Sequence, residues 1–594
     1  MIKNISKKYL FILLLIGVLL PYSNTLRNGF TWDDFPLIEK DERIRGTGNI
    51  PHIFSSDFWP SGGGTDEKLG YYRPAVTVSY LIDYSLWGLR PRGYHFSNIL
   101  YHLIATLLLF LILDRVCKNG QAAFYASLLF AIHPIHTEAV APIWGRTDLL
   151  CGLFYFASIS MYLLSQKNII HYAISPLFFM LALLSKEMAI SLPLAVIGCD
   201  YMMGKNFGPN GNLRWRRYLG FAVAVAIYLG ARYHAMGTLL VSRNSEFLSW
   251  PQKICLMMAS AAFYLKSFYL PLKLNAYPVF DVNNGLSLFL KTTAVIVAFA
   301  TVVTMLSRKK KNLTGLAFAG LALIPVLWPG SVGGVTAAER FLYIPSAGLC
   351  LFTIQSMEQL PFIRERGKLA ICIGAILLAL IAVRTYVRNF DWENDYKITV
   401  KTIDASPKAV FPRLNLAGHY ERLLKYQDAI GQYHKVINCS PNDITAYFRL
   451  AYLYNVMGAK DSSLVYYNKV IELNPSFAFA YNNMANIYFV ERNNSMALYF
   501  FKKAQQFDTA GTIIDPYSLG QVYLFENHPD SAIKYLSRFA DKNNNIAHCY
   551  LLLGFAYKMY GDSQQAIRMW NKYIDLSQDI EMVEKIKNKI KEIQ

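Results

Sequence analysis

The sequence predicts an all-α protein made of a polytopic helical membrane region and a C-terminal α-solenoid. Three observations predict it. Of the 594 residues, 54% are hydrophobic and only 17% are charged. The long apolar segments all lie before about residue 390, and prolines recur every 34 residues after residue 406. This composition excludes a simple soluble enzyme and most disordered chains.

The apolar segments are predicted to be membrane helices. The first 24 residues have a basic start and an apolar run like a signal peptide, but no small-x-small cleavage site follows, so we interpret them as a retained membrane helix. Several of the further apolar segments are shorter than an ideal span of about 20 residues. They lie at 95–114, 121–134, 148–165, 169–184, 188–203, 217–233, 252–270, 287–306, 313–328, 341–357 and 369–386.

Basic connectors predict the side of the membrane on which each loop lies, because Lys and Arg concentrate in cytoplasmic loops. These connectors lie at 3–8, 115–118, 167, 205–217, 308–311 and 364–368. Residues 217 and 308 must share a side, so we predict that segment 252–270, which carries Lys253 and Lys266, does not span. About eleven spans result. The predicted outer face then holds loops 23–94, 133–147, 185–187 and 329–340 and the C-terminal region.

Charge and cysteine content exclude other classes of protein. Residues 396–594 hold 23 Lys and Arg against 18 Asp and Glu, so most of the net charge of +19 belongs to the apolar part. Such an excess is typical of membrane topology and argues against nucleic-acid binding. The eight cysteines have no C-x-x-C motif and no regular spacing, so neither a zinc site nor a disulfide framework is indicated.

The C-terminal region repeats with the 34-residue period of tetratricopeptide repeats. Repeats starting at 410, 444, 478, 513 and 547 have a small residue at position eight: Ala417, Ala451, Ala485, Gly520 and Gly554. Position eleven is aromatic in each: Tyr420, Tyr454, Tyr488, Tyr523 and Tyr557. We predict a membrane domain over 1–395, five repeats over 407–578 and a capping helix over 579–594. The aromatic stripes should pack between helices, and the concave groove should hold a peptide of a protein acceptor or partner.

Two carboxylates in the first outer loop are candidate catalytic groups. Asp33 and Asp34 lie between Trp32 and Phe35, just beyond the first membrane helix. A partly desolvated carboxylate has a raised proton affinity and can act as a general base. The alternative, a solvated acidic loop, is the interpretation we prefer for Glu39, Asp41 and Glu42.

Other ionisable groups on the predicted outer face mark either function or internally paired structure, because charge at membrane depth is costly. Four cations are suited to hold a lipid-linked phosphate at the membrane surface: Arg73, Arg146, Lys186 and Arg340. Further candidates for lining the site are His133, His136, Glu138, Asp148, Glu187 and Glu339. The histidines lack the i, i+4 spacing that places two metal ligands on one helical face, so helix capping and internal hydrogen bonding are favoured over a metal. No metal ligand is assigned, and a divalent metal requirement stays open.

The outer-face motifs together resemble a known enzyme family. The matching residues are WDD, IFSSDFW, YYRPAVTVSY, GYHFSNILYHL, HPIHTEAV, GRTDLL, LSKE and AERFLYIPSAG, followed by the repeats. In this order the chain resembles the transmembrane and tetratricopeptide-repeat-containing protein O-mannosyltransferases, which are glycosyltransferases of the C-type fold. The segment from Gly62 to Lys68 has no counterpart in the resemblance.

The resemblance implies a glycosyltransferase that moves mannose from a polyprenyl-phosphate donor to Ser or Thr of an outer-face protein. A first-loop Asp would be the base; the motif does not decide between Asp33 and Asp34, and we slightly favour Asp34. Two alternatives stay open: a C-type transferase acting on a lipid or envelope glycan, and a non-catalytic membrane scaffold. The absence of a sorting motif leaves the bacterial inner membrane, with the repeats in the periplasm, and the endoplasmic reticulum, with the repeats in the lumen.

Overall fold

The computed structural model describes residues 6–60, 69–164, 169–203, 215–239, 248–281, 285–306, 313–327, 336–360, 363, 367–508 and 511–594. Within these ranges the regular secondary structure is helical and no strand occurs. The prediction of an all-α fold is therefore confirmed. The chain forms two compact units, Met1–Pro412 and Arg413–Gln594.

A helix occupies each apolar segment that the sequence predicts. The helices are Lys7–Tyr22, Pro91–Cys117, Gly120–Ile132, Arg146–Leu164, Ile169–Leu183, Leu192–Met202, Leu219–Met236, Trp250–Tyr269, Gly285–Leu306, Leu313–Leu327, Pro345–Met357 and Gly367–Asn389. Within the part of the chain that the structure describes, six helical stretches are long and apolar enough to cross a membrane: Lys7–Arg27, Pro91–Cys117, Ile143–Leu164, Trp215–Met236, Gly285–Met305 and Leu369–Trp392. Three shorter apolar helices accompany them: Gly120–Ile132, Ile170–Leu183 and Leu313–Leu327. This is a membrane protein, and the count of about eleven spans stays a prediction.

Several residues used for the topology prediction lie outside the described residues. They are Lys3, Lys167, Lys205, Arg214, Arg308–Lys311, Arg364 and Arg366. The segment Gly62–Lys68 also lies outside them.

The predicted first outer loop is a folded element with its own hydrophobic core. It contains the short helix Ile50–Ser55 and the longer helix Pro74–Trp87. Buried apolar side chains of the loop, among them Leu37 and Ile44, pack with Trp144 and Trp392 in one cluster. Arg43 ties the loop together, since its guanidinium contacts Asp41 at 2.8 Å and donates to the carbonyl of Phe58 at 2.8 Å. A loop fixed in this way can hold functional side chains in place.

The membrane unit continues beyond its last apolar helix. The helix Asp395–Ala405 belongs to the first compact unit, and the buried side chain of Ile398 lies in the same cluster as Trp32. The sequence-based boundary at residue 395 falls at the start of this helix.

The second unit is a series of helical hairpins. The helices Val410–Arg422 and Tyr426–Cys439 form the first pair, and the following pairs are Ile444–Val456 with Lys460–Leu473, Ala478–Val490 with Asn494–Phe507, Pro516–Phe525 with Pro529–Lys542, and Ala547–Tyr560 with Ser563–Leu576. A last helix, Ile580–Lys591, buries Ile586 and Ile590.

Position eight of each repeat is small because the paired helix approaches closely there. Ala417, Ala451 and Ala485 are fully buried. A Cβ added at Gly520 would lie 2.7 Å from Leu536 Cγ, and one added at Gly554 would lie 2.1 Å from Trp570 Nε1. Both neighbours stand at position twenty-four, so glycine appears where that side chain presses against the facing helix.

Candidate active site

The adjacent carboxylates Asp33 and Asp34 have different surroundings. Asp34 is fully buried, and both its oxygens accept backbone hydrogen bonds: Oδ1 from Trp144 N at 2.7 Å and Oδ2 from Thr31 N at 2.8 Å. Asp34 therefore closes its own turn and joins the first outer loop to the start of the segment Ile143–Leu164.

Asp33 is partly exposed, and its carboxylate accepts no hydrogen bond from the residues that the structure describes. Burial raises its pKa to about 6, although the charges of Arg340 and Arg73 act in the opposite direction. Burial raises the pKa of Asp34 to about 8 against the lowering effect of its backbone donors, and the charge of Asp33 adds to the increase. Asp33, with the lower pKa, is thus the more readily ionised carboxylate of the pair.

Two of the predicted cations, Lys186 and Arg340, meet at Asp148. Lys186 Nζ lies 2.7 Å from each carboxylate oxygen of Asp148, and Arg340 Nε lies 3.8 Å from Asp148 Oδ2. Burial lowers the pKa of Lys186 to about 8, and the neighbouring charges of Arg340 and Arg73 lower it further against the effect of Asp148. An anion that approaches Lys186 would stabilise the positively charged form of its side chain.

Arg340 is fixed in orientation by three contacts. Its guanidinium pairs with Glu138, its backbone N–H donates to Glu138 Oε2 at 2.9 Å, and its charged end lies 4.8 Å from the centre of the Trp144 ring. The Arg340 side chain keeps 17% of its surface exposed, whereas that of Glu138 has none. The exposed part is available to a ligand.

Arg73 forms the third cation of the group. Its Nη2 lies 2.9 Å from Glu187 Oε2, and Glu187 also faces Arg232 at 3.8 Å. These cations lower the pKa of Glu187 despite its burial. The charges of Arg73 and Arg340 both act on Asp33, and Arg340 and Lys186 share Asp148 as a partner, which links Asp33, Arg73, Lys186 and Arg340. We call these four residues the acid–cation cluster.

Arg146 has a different environment from the other predicted cations. It is fully buried, pairs with Asp83 at 2.6 Å and donates to Asn98 Oδ1 at 2.9 Å. Its guanidinium lies 4.9 Å from the centre of the Tyr80 ring. The donors of Arg146 are directed at protein groups, so this residue joins helices. Its side chain has no exposed part that a phosphate could contact.

The two histidines use their ring nitrogens within the protein. His133 Nδ1 accepts from the backbone of Ile135, and its Nε2 contacts the carbonyl of Phe268, both at 3.1 Å. His136 hydrogen-bonds to the carbonyl of Phe130 and to Ser346 Oγ, both at 2.8 Å. Over the described ranges, no three His, Cys, Asp or Glu side chains are grouped so that they could hold a metal ion.

Glu339 contacts Arg388 rather than the cations of the acid–cation cluster. Its carboxylate accepts from the backbone of Asn275 and lies 3.7 Å from Arg388. Burial raises its pKa to about 7, with the Arg388 charge opposing the increase and the Glu138 charge adding to it.

Sequence reasoning missed several residues of this region. Arg232 and Asp83 carried a usable signal, because each is an ionisable group within a largely apolar helix. Trp144, which supports Arg340 and donates its backbone N–H to Asp34, had none, since an aromatic residue at the end of a membrane segment is common.

Comparison with known proteins identifies both repeats and relatives of this chain. Profiles described as tetratricopeptide repeat match residues 444–477 and 466–510. Several curated proteins match about two thirds of this chain. They are protein O-mannosyl-transferases. The resemblance predicted from the outer-face motifs is thereby confirmed.

Three of these relatives indicate the extent of the similarity. Protein O-mannosyl-transferase F38B6.6 of Caenorhabditis elegans is 26% identical over 67% of this chain and 58% of its own length. Human protein O-mannosyl-transferase TMTC3 is 25% identical over 70% of this chain and 50% of its own, and human TMTC1 is 27% identical over 69% and 54%. The chain thus spans between half and three fifths of these relatives. Among solved structures, the tetratricopeptide protein YrrB is 17% identical over 32% of this chain, with a TM-score of 0.29.

Proposed function

We propose that this protein is a membrane glycosyltransferase that moves mannose from a polyprenyl-phosphate donor to a Ser or Thr hydroxyl of a protein on the outer face of the membrane. The observation that carries the proposal is the acid–cation cluster: a partly exposed carboxylate that accepts no hydrogen bond from the described residues and is influenced by the charges of Arg73 and Arg340, with Lys186 linked to Arg340 through Asp148. The names of the relatives supply the sugar and the protein acceptor.

Asp33 is the proposed general base. It takes the proton of the acceptor hydroxyl while that oxygen attacks the anomeric carbon of the sugar, and the polyprenyl phosphate leaves with the bonding electrons. A single displacement of this kind inverts the anomeric configuration. One carboxylate suffices because a phosphate is already a good leaving group, whereas an ordinary glycoside needs a second carboxyl as acid.

Arg73, Lys186 and Arg340 are the proposed phosphate-binding residues. Negative charge grows on the phosphate as it departs, and fixed cations stabilise that charge without reorganising. Arg340 is oriented by Glu138 and Trp144, and Lys186 by Asp148. Asp34 and Arg146, whose polar atoms are directed at protein groups, support the fold of the site in this proposal.

The repeats are proposed to capture the protein acceptor, and the reaction to take place in the periplasm or the lumen of the endoplasmic reticulum. Tetratricopeptide grooves typically hold extended peptides. Capture of the acceptor raises its local concentration at the membrane unit without contributing to the chemistry.

The test uses the purified full-length protein, a short-chain polyprenyl-phosphate mannose and a Ser/Thr-rich peptide. We expect mannose on the peptide hydroxyl, release of polyprenyl phosphate, and an inverted anomeric centre by NMR. The Asp33→Asn variant is the matched control for non-enzymatic transfer. Transfer only to an added lipid acceptor would favour the envelope-glycan alternative, and no donor turnover with either acceptor would favour the scaffold.

A further inference from the structure

We propose that Asp395 and Thr399 are positioning residues for the base, acting on Asp33 through Trp32. They lie on the helix Asp395–Ala405, which follows the last apolar helix. The inference rests on the proposed function, because it concerns how the proposed base is oriented.

The first observation is the backbone of Trp32. Its φ of +44° lies in the left-handed region, which a bulky residue adopts only when its surroundings enforce it. Trp32 directly precedes Asp33, so this dihedral sets the direction in which the Asp33 carboxylate leaves the chain.

The second observation is what holds Trp32. Its backbone N–H donates to Asp395 Oδ1 at 3.0 Å, and its indole Nε1–H donates to Thr399 Oγ1 at 2.9 Å. Residues four apart share one face of a helix, so a single helix face carries both acceptors. The Trp32 ring packs against Phe411 with centroids 5.5 Å apart and is stacked on Trp144 at 6.3 Å.

The third observation concerns the Asp33 side chain itself. Its carboxylate accepts no hydrogen bond from the described residues, whereas Asp34 on its other side is fixed by Trp144. Apart from a backbone hydrogen bond that Leu37 N–H donates to the Asp33 carbonyl at 3.2 Å, the direction of the Asp33 side chain is set through its two neighbours in sequence. Loss of the Thr399 contact would let the indole turn and the Asp33 carboxylate move away from Arg340 and Arg73. Misplacement of a catalytic group by about 1 Å can lower the rate about a hundredfold.

The test compares three variants of one helix in the full-length protein. Thr399→Val removes the acceptor, and Thr399→Ser keeps it. Thr402→Val makes the same chemical change at a buried Thr whose hydroxyl donates, among the described residues, to the carbonyl of Ile398 in its own helix. With short-chain polyprenyl-phosphate mannose and a high concentration of Ser/Thr peptide, we expect Thr399→Val to lower kcat about tenfold to a hundredfold. We expect a donor KM within about twofold of wild type, since the cations are untouched.

Two readouts separate positioning from general damage. The acid limb of the kcat/KM profile should shift in Thr399→Val, whereas a smaller folded fraction would only scale the curve. Combined with Trp32→Phe, which lacks the indole N–H, Thr399→Val should add no further loss, because both changes remove one interaction. Losses that multiply, or Thr402→Val as defective as Thr399→Val, would overturn the inference.

A third readout, amide hydrogen exchange, does not depend on transfer activity. Amide hydrogen exchange in a peptide covering residues 29–36 should become faster in Asp395→Ala, which removes the acceptor of the Trp32 N–H, and remain as in wild type in Thr402→Val. Unchanged exchange in Asp395→Ala would contradict the inference even if the enzyme proved to transfer nothing. An active wild type with a normal Thr399→Val variant would overturn the inference and leave the proposed function standing.

Discussion

Asp33 and Asp34 are neighbours in sequence, but only Asp33 has a carboxylate that an acceptor hydroxyl could approach. Asp33→Asn keeps the shape of the side chain and removes the base, so we expect transfer to fall by about 10²- to 10⁴-fold. Expression and thermal stability should remain near wild type, because the Asp33 carboxylate accepts no hydrogen bond from the described residues.

Asp34→Asn makes the contrasting control. The amide NH₂ would face one of the backbone donors, Thr31 N or Trp144 N, and an unsatisfied buried pair of this kind costs about 1–3 kcal/mol. We therefore expect a lower Tm together with lower activity. Near-normal turnover of Asp33→Asn, or loss of activity in Asp34→Asn at an unchanged Tm, would return the role of base to Asp34.

The rate should depend on pH as a bell-shaped curve. Asp33 accepts a proton only when ionised, so kcat/KM rises as pH increases through its pKa of about 6. Lys186 binds the donor phosphate best when protonated, so kcat/KM falls as pH increases through its pKa of about 8. Initial rates from pH 5 to 10 measure both limbs. In Lys186→Arg the charge persists at all these pH values, so an alkaline limb that stays near pH 8 would exclude Lys186 as its source.

The residue types of this site could be predicted from the sequence, but their pairing could not. Charge beside membrane segments is costly, so Arg73, Lys186 and Arg340 stand out in any reading of the chain. The same argument selects Arg146, which is used to bind Asp83. Arg340 meets Glu138 across 202 residues, and such long-range contacts leave no local pattern.

At the scale of helices, hydropathy predicted a helix at each apolar segment, because each of these helices is a continuous apolar run. It did not distinguish the type of helix at the start of two segments. Segment 188–203 begins as an α-helix only at Leu192, and segment 341–357 only at Pro345. In both places a 3₁₀ turn precedes the helix, over Glu187–Ser191 and Glu339–Leu342. These turns carry Glu187 and Arg340, and a single turn is too short to produce a detectable periodicity.

The helical hairpins give a prediction about glycine. Gly554→Ala would place a Cβ 2.1 Å from Trp570 Nε1, so we expect the repeats to lose about 1–3 kcal/mol of stability. Gly431→Ala is the matched control, because a Cβ there meets nothing within 4 Å and alanine favours the helix by about 1 kcal/mol. Urea unfolding of the isolated repeats measures both. A stabilised Gly554→Ala variant would show that the hairpin is packed differently.

At the scale of the whole molecule, each compact unit should fold without the other. The division at residue 412 falls within the helix Val410–Arg422, so overlapping fragments 1–412 and 407–594 are the suitable pair. We expect 407–594 to be soluble, helical and able to bind the acceptor without activity. Fragment 1–412 should bind the donor and serve a short acceptor at high concentration, but transfer poorly to the natural protein.

A shorter membrane fragment, 1–395, is the informative control for this experiment. It lacks Thr399 and Phe411, which contact Trp32, so its rate with a short acceptor should fall below that of 1–412. Equal transfer to the natural acceptor by 1–412 and the full chain would contradict acceptor capture by the repeats.

The predicted topology can be tested independently of activity. A reporter that is active only in the cytoplasm, fused after Gln594, should stay silent, because one predicted span follows the basic connector at 364–368. The same reporter fused at residue 118 should be active. Cytoplasmic activity after Gln594 would change the number of spans and the face on which the proposed acceptor lies.

The hydrogen bonds of Trp32 also determine when the site can exist during synthesis of the chain. The loop that carries Asp33 is made among the first residues. The acceptors of the two Trp32 hydrogen bonds, Asp395 and Thr399, follow 363 and 367 residues later in the chain. Chains grow from the N-terminus at about 5–20 residues per second. The last apolar helix is therefore already made before the proposed base, Asp33, can be oriented through Trp32. A chain that stalls or is cut before Asp395 carries all three cations but lacks both acceptors of Trp32, so we expect it to transfer far more slowly than the full chain.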